Sequence, residues 1–398
     1  MLSLKNVRVL SFTHFFQGPY CAQMLADLGA DVIKVEPLDG CYERHSAPMG
    51  SYYQGGISSV HLAVNRNQKS VAVDLKAKEG QEFIHRLLET TEILVQNYRP
   101  GVLEKFGLGY ENLKDKYPKL IYCELTGYGS SGPYRNVPGH DVIAQGKSGL
   151  ASLGRGDQAP VIVGASVVDT TGALLATYGI LAAYIDFLKT GKGHKIDSCL
   201  LNAGMTLQVE GFAAYLAKGS LYPKLNTGGT SRHNNLPWGA YQTKDGYLIV
   251  SRIWIPAMRE IFDDERVKDI GDNDQVAKRT EIDAIICSEL KKKTTAEWEK
   301  ILAEKKCWFT RVNEYEDVVN DPQVIHNGLI TEYEHPIAGK VKVLGNPVQF
   351  DGESLPIRHY PPLLGQNTVE LMKECGYTQA EIDCHLANNV VVASALPE

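Results

Sequence analysis

The sequence predicts an α/β protein with a doubly wound, Rossmann-like large domain and a smaller α+β domain. Two observations carry this. Short apolar runs alternate with helical stretches through the first third of the chain, the signature of a parallel sheet wound with helices. Beyond about residue 222 the alternation breaks into a turn-rich loop, a hairpin and charged helical segments.

VRVLSF (7–12) reads as a buried strand, THFFQGP as a loop, YCAQMLADLGA as a short helix ending at Gly29, and DVIKVE (31–36) as a second strand. Together they form a βαβ unit with a right-handed crossover. SVAVDL (70–75), a helix over 79–90, ILVQN (93–97), a helix around 110–117 and LIYCEL (120–125) continue the series. Ligands in such sheets sit at the carboxyl ends of the strands. GALLATYGILAAYIDFLK (172–189) suits a long buried helix closed by TGKG, and KIDSC a short strand leading into another helix. NTGGTSRHNN (226–235) is the turn-rich loop, and GAYQTKDGYLIVSR has a hairpin pattern with Lys244-Asp245-Gly246 as its turn. Charged helices run to about 320, after which strand and helix patterns return.

With 398 residues, 43% hydrophobic and 22% charged, the chain has the composition of a folded protein rather than a disordered one. The net charge of -6, from 41 basic and 47 acidic residues interleaved along the chain, offers neither a nucleic-acid footprint nor a polybasic membrane stretch. No run approaches the length of uninterrupted apolar residues that spans a bilayer, so no membrane span is expected. MLSLKNVRVLSF lacks the apolar region and cleavage site of a signal peptide. The eight cysteines stand singly, with no C-x-x-C pair, which fits a reducing, cytoplasmic location. Cys384 beside His385 reads as a surface coincidence.

Several motifs fail on inspection. A dinucleotide site needs G-x-G-x-x-G after the first strand; Glu36 closes the second strand suitably, but THFFQGP holds one glycine. Gly127, Gly129 and Gly132 fit the spacing but run into Pro133 where a helix should open. Gly146-Lys147-Ser148 resembles the end of a phosphate loop, yet Asp141 stands where its first glycine belongs. There is no H-E-x-x-H, the eleven histidines show no ligand spacing, and no metal is expected.

Two polar features stand out in apolar or turn-rich surroundings. VGASVVDTTGALLATYGILAAY (163–184) carries one carboxylate, Asp169, and no basic residue. Asp169 reads as a helix N-cap, worth about 1 kcal/mol over alanine. It also reads as a nucleophile kept ionised by the helix N-terminus, and the two readings are compatible. His140, in Gly139-His140-Asp141, is either a hydrogen-bonded histidine or a site residue.

Seven blocks resemble the class III coenzyme A transferases, the family of formyl-CoA:oxalate and carnitine CoA-transferases. They are LSFTHFFQGPYCAQMLADLGADVIKVE, VNRNQKSVAVDLK, VQNYRPGVLEKFGLGYENL, TGYGSSGPYRNVPGHDVIAQGKSGL, VVDTTGALLATYGILAA, LKTGKGHKIDSCLLNA and PPLLGQNTVELMKECGY, in order between about residues 4 and 388. The resemblance implies a large domain from residues 1–224 and 331–398, a small domain from 225–330, and an interlocked, ring-like homodimer. It implies acyl-CoA and a carboxylic acid as substrates, coenzyme A as the moving group, and no permanently bound cofactor. The family nucleophile falls on Asp169, which would form an aspartyl mixed anhydride and then an aspartyl-CoA thioester. Gly228 and Gly229 would supply backbone donors to tetrahedral intermediates. The substrate stretch around His140 would also contact the coenzyme, held at Phe16, Gln17, Val73, Asp74, Leu75, Lys76, Asn97, Tyr98, Arg99 and Lys105. Lys76, Arg99 and Lys105 would meet its phosphates.

The sequence departs from the formyl-CoA enzymes. Pro37 and Leu38 follow VIKVE where those enzymes place an arginine, and the loop TGGTSRHNNLPWGAY lacks their run of glycines. PQVIHNGLI and EHPIAGKVKVLGNPVQF look more like the dicarboxylate-type, succinyl-CoA-dependent members. Arg135, Arg232 and His233 are candidates for a second carboxylate. α-Methylacyl-CoA racemases share the implied fold and carry Gly-His-Asp, so His140 and Asp169 also fit a two-base racemase pair, although VVDTTGA is closer to the transferase form. A non-catalytic acyl-CoA-binding protein is the third reading.

Overall fold

The computed structural model describes residues 2–45, 52–154, 156 and 159–394. The chain divides into two compact units, one of residues 1–144, 166–203 and 321–398, the other of 145–165 and 204–320. Residues 145–165 and 204–224 therefore join the second unit, not the large domain expected from sequence, and the return comes at 321 rather than 331. Hydrogen bonds between segments distant in sequence account for this: Gln208 Nε2 donates to the Ser148 carbonyl (3.1 Å) and Gly156 N to the Leu225 carbonyl (2.8 Å).

The first unit is built on a seven-stranded sheet. Its strands are β1 (Arg8–Phe12), β2 (Asp31–Glu36), β3 (Gln68–Val73), β4 (Ile93–Gln96), β5 (Ile121–Thr126) and β6 (Lys195–Cys199), with Val391–Val392 at one edge. The order is Val391–Val392, β3, β2, β1, β4, β5, β6. All neighbours are parallel except the edge pair, where Val391 faces Val73 antiparallel. The fold is thus mixed α/β with a dominantly parallel sheet. Apolar runs suit these strands because both faces are covered. Leu10, Ile33, Val71 and Leu94 point into one core, while Val9, Val32, Ile93 and Cys123 point into the other. The strand order reverses between β1 and β4, which opens a crevice at their carboxyl ends.

Helices α1 (Gln17–Asp27), α2 (Tyr42–His45), α3 (Lys78–Leu88), α4 (Asp141–Lys147) and α5 (Val167–Thr190) bear on the site. α5 starts a turn and a half earlier than its apolar run suggests and stops at Gly191, whose φ of 70° ends it. Val168, Ala173, Ala176 and Ile180 of α5 are buried, whereas Leu174, Tyr178, Ile185 and Leu188 are exposed. By length and composition α5 is apolar enough to cross a membrane. Counting only uninterrupted apolar residues overlooks it, because Asp169, Thr170 and Thr171 break the run.

The second unit contains an antiparallel sheet of Gly239–Gln242, Tyr247–Arg252 and Trp308–Arg311. Its hairpin turns at the expected place, with Thr243 N donating to the Gly246 carbonyl at 2.9 Å. Tyr241, Leu248, Val250, Ile286, Trp298 and Leu302 form its core.

Candidate active site

A cavity of about 400 Å³ lies in the first unit, lined by residues that follow β1, β4, β5 and β6. His14, Phe15 and Gln17 come from the loop after β1 and the start of α1, and Asn97, Tyr98 and Arg99 follow β4. Leu125 to Gly127 end β5, Leu200 follows β6, and Arg135 to His140 belong to the loop before α4. Asp169 completes the lining from α5. This is the carboxyl end of a doubly wound sheet, where such sites form.

Asp169 is not the N-cap of α5. Ser166 holds that position without a side-chain cap, and Asp169 sits in the first turn. Burial, and secondarily the like charge of Asp141, push its carboxyl from 3.8 up to about 7. The helix terminus expected to keep Asp169 ionised is outweighed by desolvation. Asp141, buried at the start of α4, accepts from Val168 N at 3.4 Å and so brings a second carboxylate to the same helix end. Asp141 closes the Gly-His-Asp stretch, and nothing in its local sequence marks it as a site residue. A run of that composition does not reveal which helix end a carboxylate will cap.

Gln17 is buried, and its amide Nε2 has no hydrogen-bond partner among the described residues. A side chain at residue 172 would collide with that amide, so Gly172, one turn after Asp169, makes room for Gln17 against α5. Asn97 fixes the loop after β1, accepting from His14 N and donating to the His14 carbonyl, both at 2.9 Å. Edge-on contacts to Phe15 and Tyr98 complete the setting of His14, whose pKa burial lowers. Arg99 is exposed at the cavity and has no carboxylate partner among the described residues, and Arg135 sits loosely by Glu104 at 3.7 Å while its Nε donates to the Ser130 carbonyl.

Of the residues expected from sequence, Asp169, His140, Gln17, Asn97, Tyr98 and Arg99 come together in this cavity. Phe16 does not line it; its ring stacks on Tyr20. Val73 is buried in the core, Leu75 packs against that core, Asp74 accepts from Lys76 N at 2.9 Å, and Lys76 and Lys105 are exposed. None of these five lines the cavity. Gly228 and Gly229 belong to the second unit, and both N–H groups are engaged, on Cys287 Sγ (3.2 Å) and Asp283 Oδ1 (3.0 Å). Arg232 and His233 line a separate cavity within that unit. Among the described residues no cluster of His, Cys, Asp and Glu could hold a metal ion.

Comparison with known proteins identifies the family. The family described as CoA-transferase family III matches residues 4–368. Human succinyl-CoA:glutarate CoA-transferase is 34% identical over 382 residues, covering 93% of this chain and 85% of its own. The succinate–glutarate CoA-transferase of Agrobacterium fabrum is 32% identical, covering 93% and 95%. A crystal structure of a CAIB/BAIF family protein from Brucella suis superposes with a TM-score of 0.78 at 29% identity, covering 94% of this chain and 99% of that one. A sheet whose carboxyl ends gather a desolvated aspartate, a buried free amide and two arginines thus occurs in a chain matched almost end to end: it belongs to CoA-transferase family III.

Proposed function

We propose that the protein moves coenzyme A from an acyl-CoA donor to a dicarboxylic acid, with Asp169 as covalent nucleophile. The carrying observation is the Asp169 carboxyl, raised to about 7 by burial at a cavity where no cation among the described residues pairs with it. A carboxylate stripped of water is a stronger nucleophile, and a water-poor pocket protects an anhydride from hydrolysis. Asp169 Oδ attacks the thioester carbonyl, the C–S bond breaks, and the coenzyme leaves as thiolate. That thiolate attacks the Asp169 carbonyl carbon, forming the aspartyl-CoA thioester and releasing the first acid as carboxylate. The acceptor carboxylate then attacks the aspartyl thioester to give a second anhydride, expelling the thiolate. Thiolate attack on the acceptor carbonyl frees the new acyl-CoA and restores the Asp169 carboxylate. No step consumes a proton, which suits a site without an obligatory acid.

Gln17 Nε2, a donor without a partner, is suited to the oxyanion formed at the Asp169 carbonyl. Arg99 and Arg135 are suited to phosphate or a second carboxylate. The relatives named for succinyl-CoA and glutarate support a dicarboxylate acceptor. Incubation with succinyl-CoA followed by hydroxylamine should convert Asp169 to a hydroxamate in a protein that turns over succinyl-CoA and glutarate. Turnover with an unmodified Asp169 overturns the assignment.

The exposed apolar stripe Leu174, Tyr178, Ile185 and Leu188 on α5 supports a homodimer, with a second copy covering it. Sedimentation should give twice the 43.9 kDa of one chain, and a monomer overturns this reading. We also propose a cytoplasmic location, since all eight cysteines are free. His140 lining the same cavity as Asp169 favours one alternative, proton exchange at the α-carbon of an acyl-CoA. Deuterium uptake into a 2-methylacyl-CoA in heavy water, without coenzyme transfer, would replace the transferase reading.

A further inference from the structure

His14 and Phe15 line the Asp169 cavity and Thr13 precedes them just after β1, and each of the three is held by a side chain from elsewhere in the chain. Lys34 on β2 donates Nζ to the Thr13 carbonyl at 3.0 Å, Asn97 grips both sides of His14, and Glu43 on α2 accepts from Phe15 N at 3.0 Å. Phe15 adopts a φ of 62°, a left-handed conformation that strains any residue with a bulky side chain. Burial does not explain the strain, because Phe15 is 42% exposed and its ring rests on Tyr42. Lys34 and Glu43 are themselves fully buried and pair at 2.6 Å. A buried ion pair adds little stability over apolar residues of the same shape, because both charges must be desolvated. Both partners place a remaining hydrogen bond on this loop.

We propose that the Lys34–Glu43 pair is a positioning clamp that holds the Phe15 backbone left-handed. It thereby fixes His14 and the first turn of α1, with Gln17, against Asp169. The inference rests on reading that cavity as the transfer site. Turning the Phe15 peptide to an ordinary conformation would swing the start of α1, and the Gln17 amide packed at Gly172 would move with it.

The test compares Lys34→Met/Glu43→Gln with Lys34→Met/Glu43→Leu. Neither contains the buried charges, and only the glutamine retains an oxygen to accept the Phe15 N–H. The leucine form should show faster hydrogen exchange across residues 13–17 and a kcat lower by at least about tenfold, at a similar Tm and acyl-CoA KM. Adding Phe15→Asn, which tolerates the left-handed region, should restore kcat. Equal kcat in the two forms, faster exchange without loss of kcat, or no rescue by asparagine overturns the clamp. A second pair leaves the ion pair intact: Phe15→Val, which resists the left-handed region, should fall below Phe15→Asn in kcat, and equality overturns the proposal. If the parent turns over no acyl-CoA and acid, the transferase reading has failed, while the exchange comparison still reports whether the clamp holds the loop.

Discussion

Glu36 and Asp169 are two carboxyls of the same unit, both pushed up by burial, that end in opposite states. At Glu36 the charge and hydrogen bonds of Arg44, followed by Lys34 and His61, reverse the effect of burial and hold the carboxyl at about 2. Its Oε2 accepts from Arg44 Nε (2.6 Å) and Cys41 N (3.2 Å), and its Oε1 accepts from Arg44 Nη2 and Ser70 Oγ, both at 2.7 Å. At Asp169 no cation among the described residues answers; Asp141 adds a like charge, and the carboxyl rises to about 7. A buried acid with every lone pair engaged is framework, whereas one left uncompensated at a cavity is available for chemistry.

The comparison breaks first at activity. Asp169→Asn should lower kcat by roughly 10⁴-fold or more, as removal of a covalent nucleophile does, with the fold intact by circular dichroism. Glu36→Gln, if it folds, should keep a transfer rate within about an order of magnitude, since the hydrogen bonds of Glu36 go to Arg44, Cys41 and Ser70, none of which lines the cavity. Rates that fall equally in the two variants would dissolve the distinction. Next in size is Arg44→Met, which takes from the buried Glu36 its salt-bridge partner and should cost about 3–5 kcal/mol. Urea titration reads this directly; a loss below about 1 kcal/mol would show that the Glu36 network is not framework.

Much of the sheet was legible because its strands are buried on both faces and stand out as apolar runs between turn residues. VRVLSF, DVIKVE, ILVQN and LIYCEL all fall within a residue or so of observed strands. Val391–Val392 was not legible, since two residues at an edge carry no pattern. The reach of the second unit escaped because hydrogen bonds such as Gln208 to Ser148 join segments far apart in sequence. At the site, Asp169 stood out as a lone acid, but Phe15 and Glu43 did not. One signal was available for the clamp: Lys34, a lysine inside the buried strand DVIKVE, demands a buried partner. Its identity, Glu43, depends on how the chain turns after β2.

A smaller effect concerns stability. Asp169 has an ordinary value of 3.8 and rises to about 7 in the folded protein, so between those values the folded state binds more protons than the unfolded state. Stability is therefore lost as pH rises through this window and levels off above it. Asp169→Asn removes the penalty, which is on the order of 4 kcal/mol at most from about 1.4 kcal/mol per pH unit. The variant should match the parent near pH 4 and exceed its Tm at pH 8. A parent as stable as the variant at pH 8 would mean that Asp169 is not desolvated.

The smallest effect separates the two causes of that rise. In the free enzyme, kcat/KM should climb with pH along an acid limb centred near the Asp169 value of about 7. Asp141→Asn keeps an oxygen for the Val168 N–H but removes the like charge. Because burial is the larger cause, the limb should move to lower pH by less than about one unit, with the maximal rate nearly unchanged. A shift of several units would make Asp141, rather than the dry setting, the origin of the raised value. The site would then be a coupled carboxyl pair, and Asp169 would differ from Glu36 through its neighbour's charge instead of through the absence of a cation.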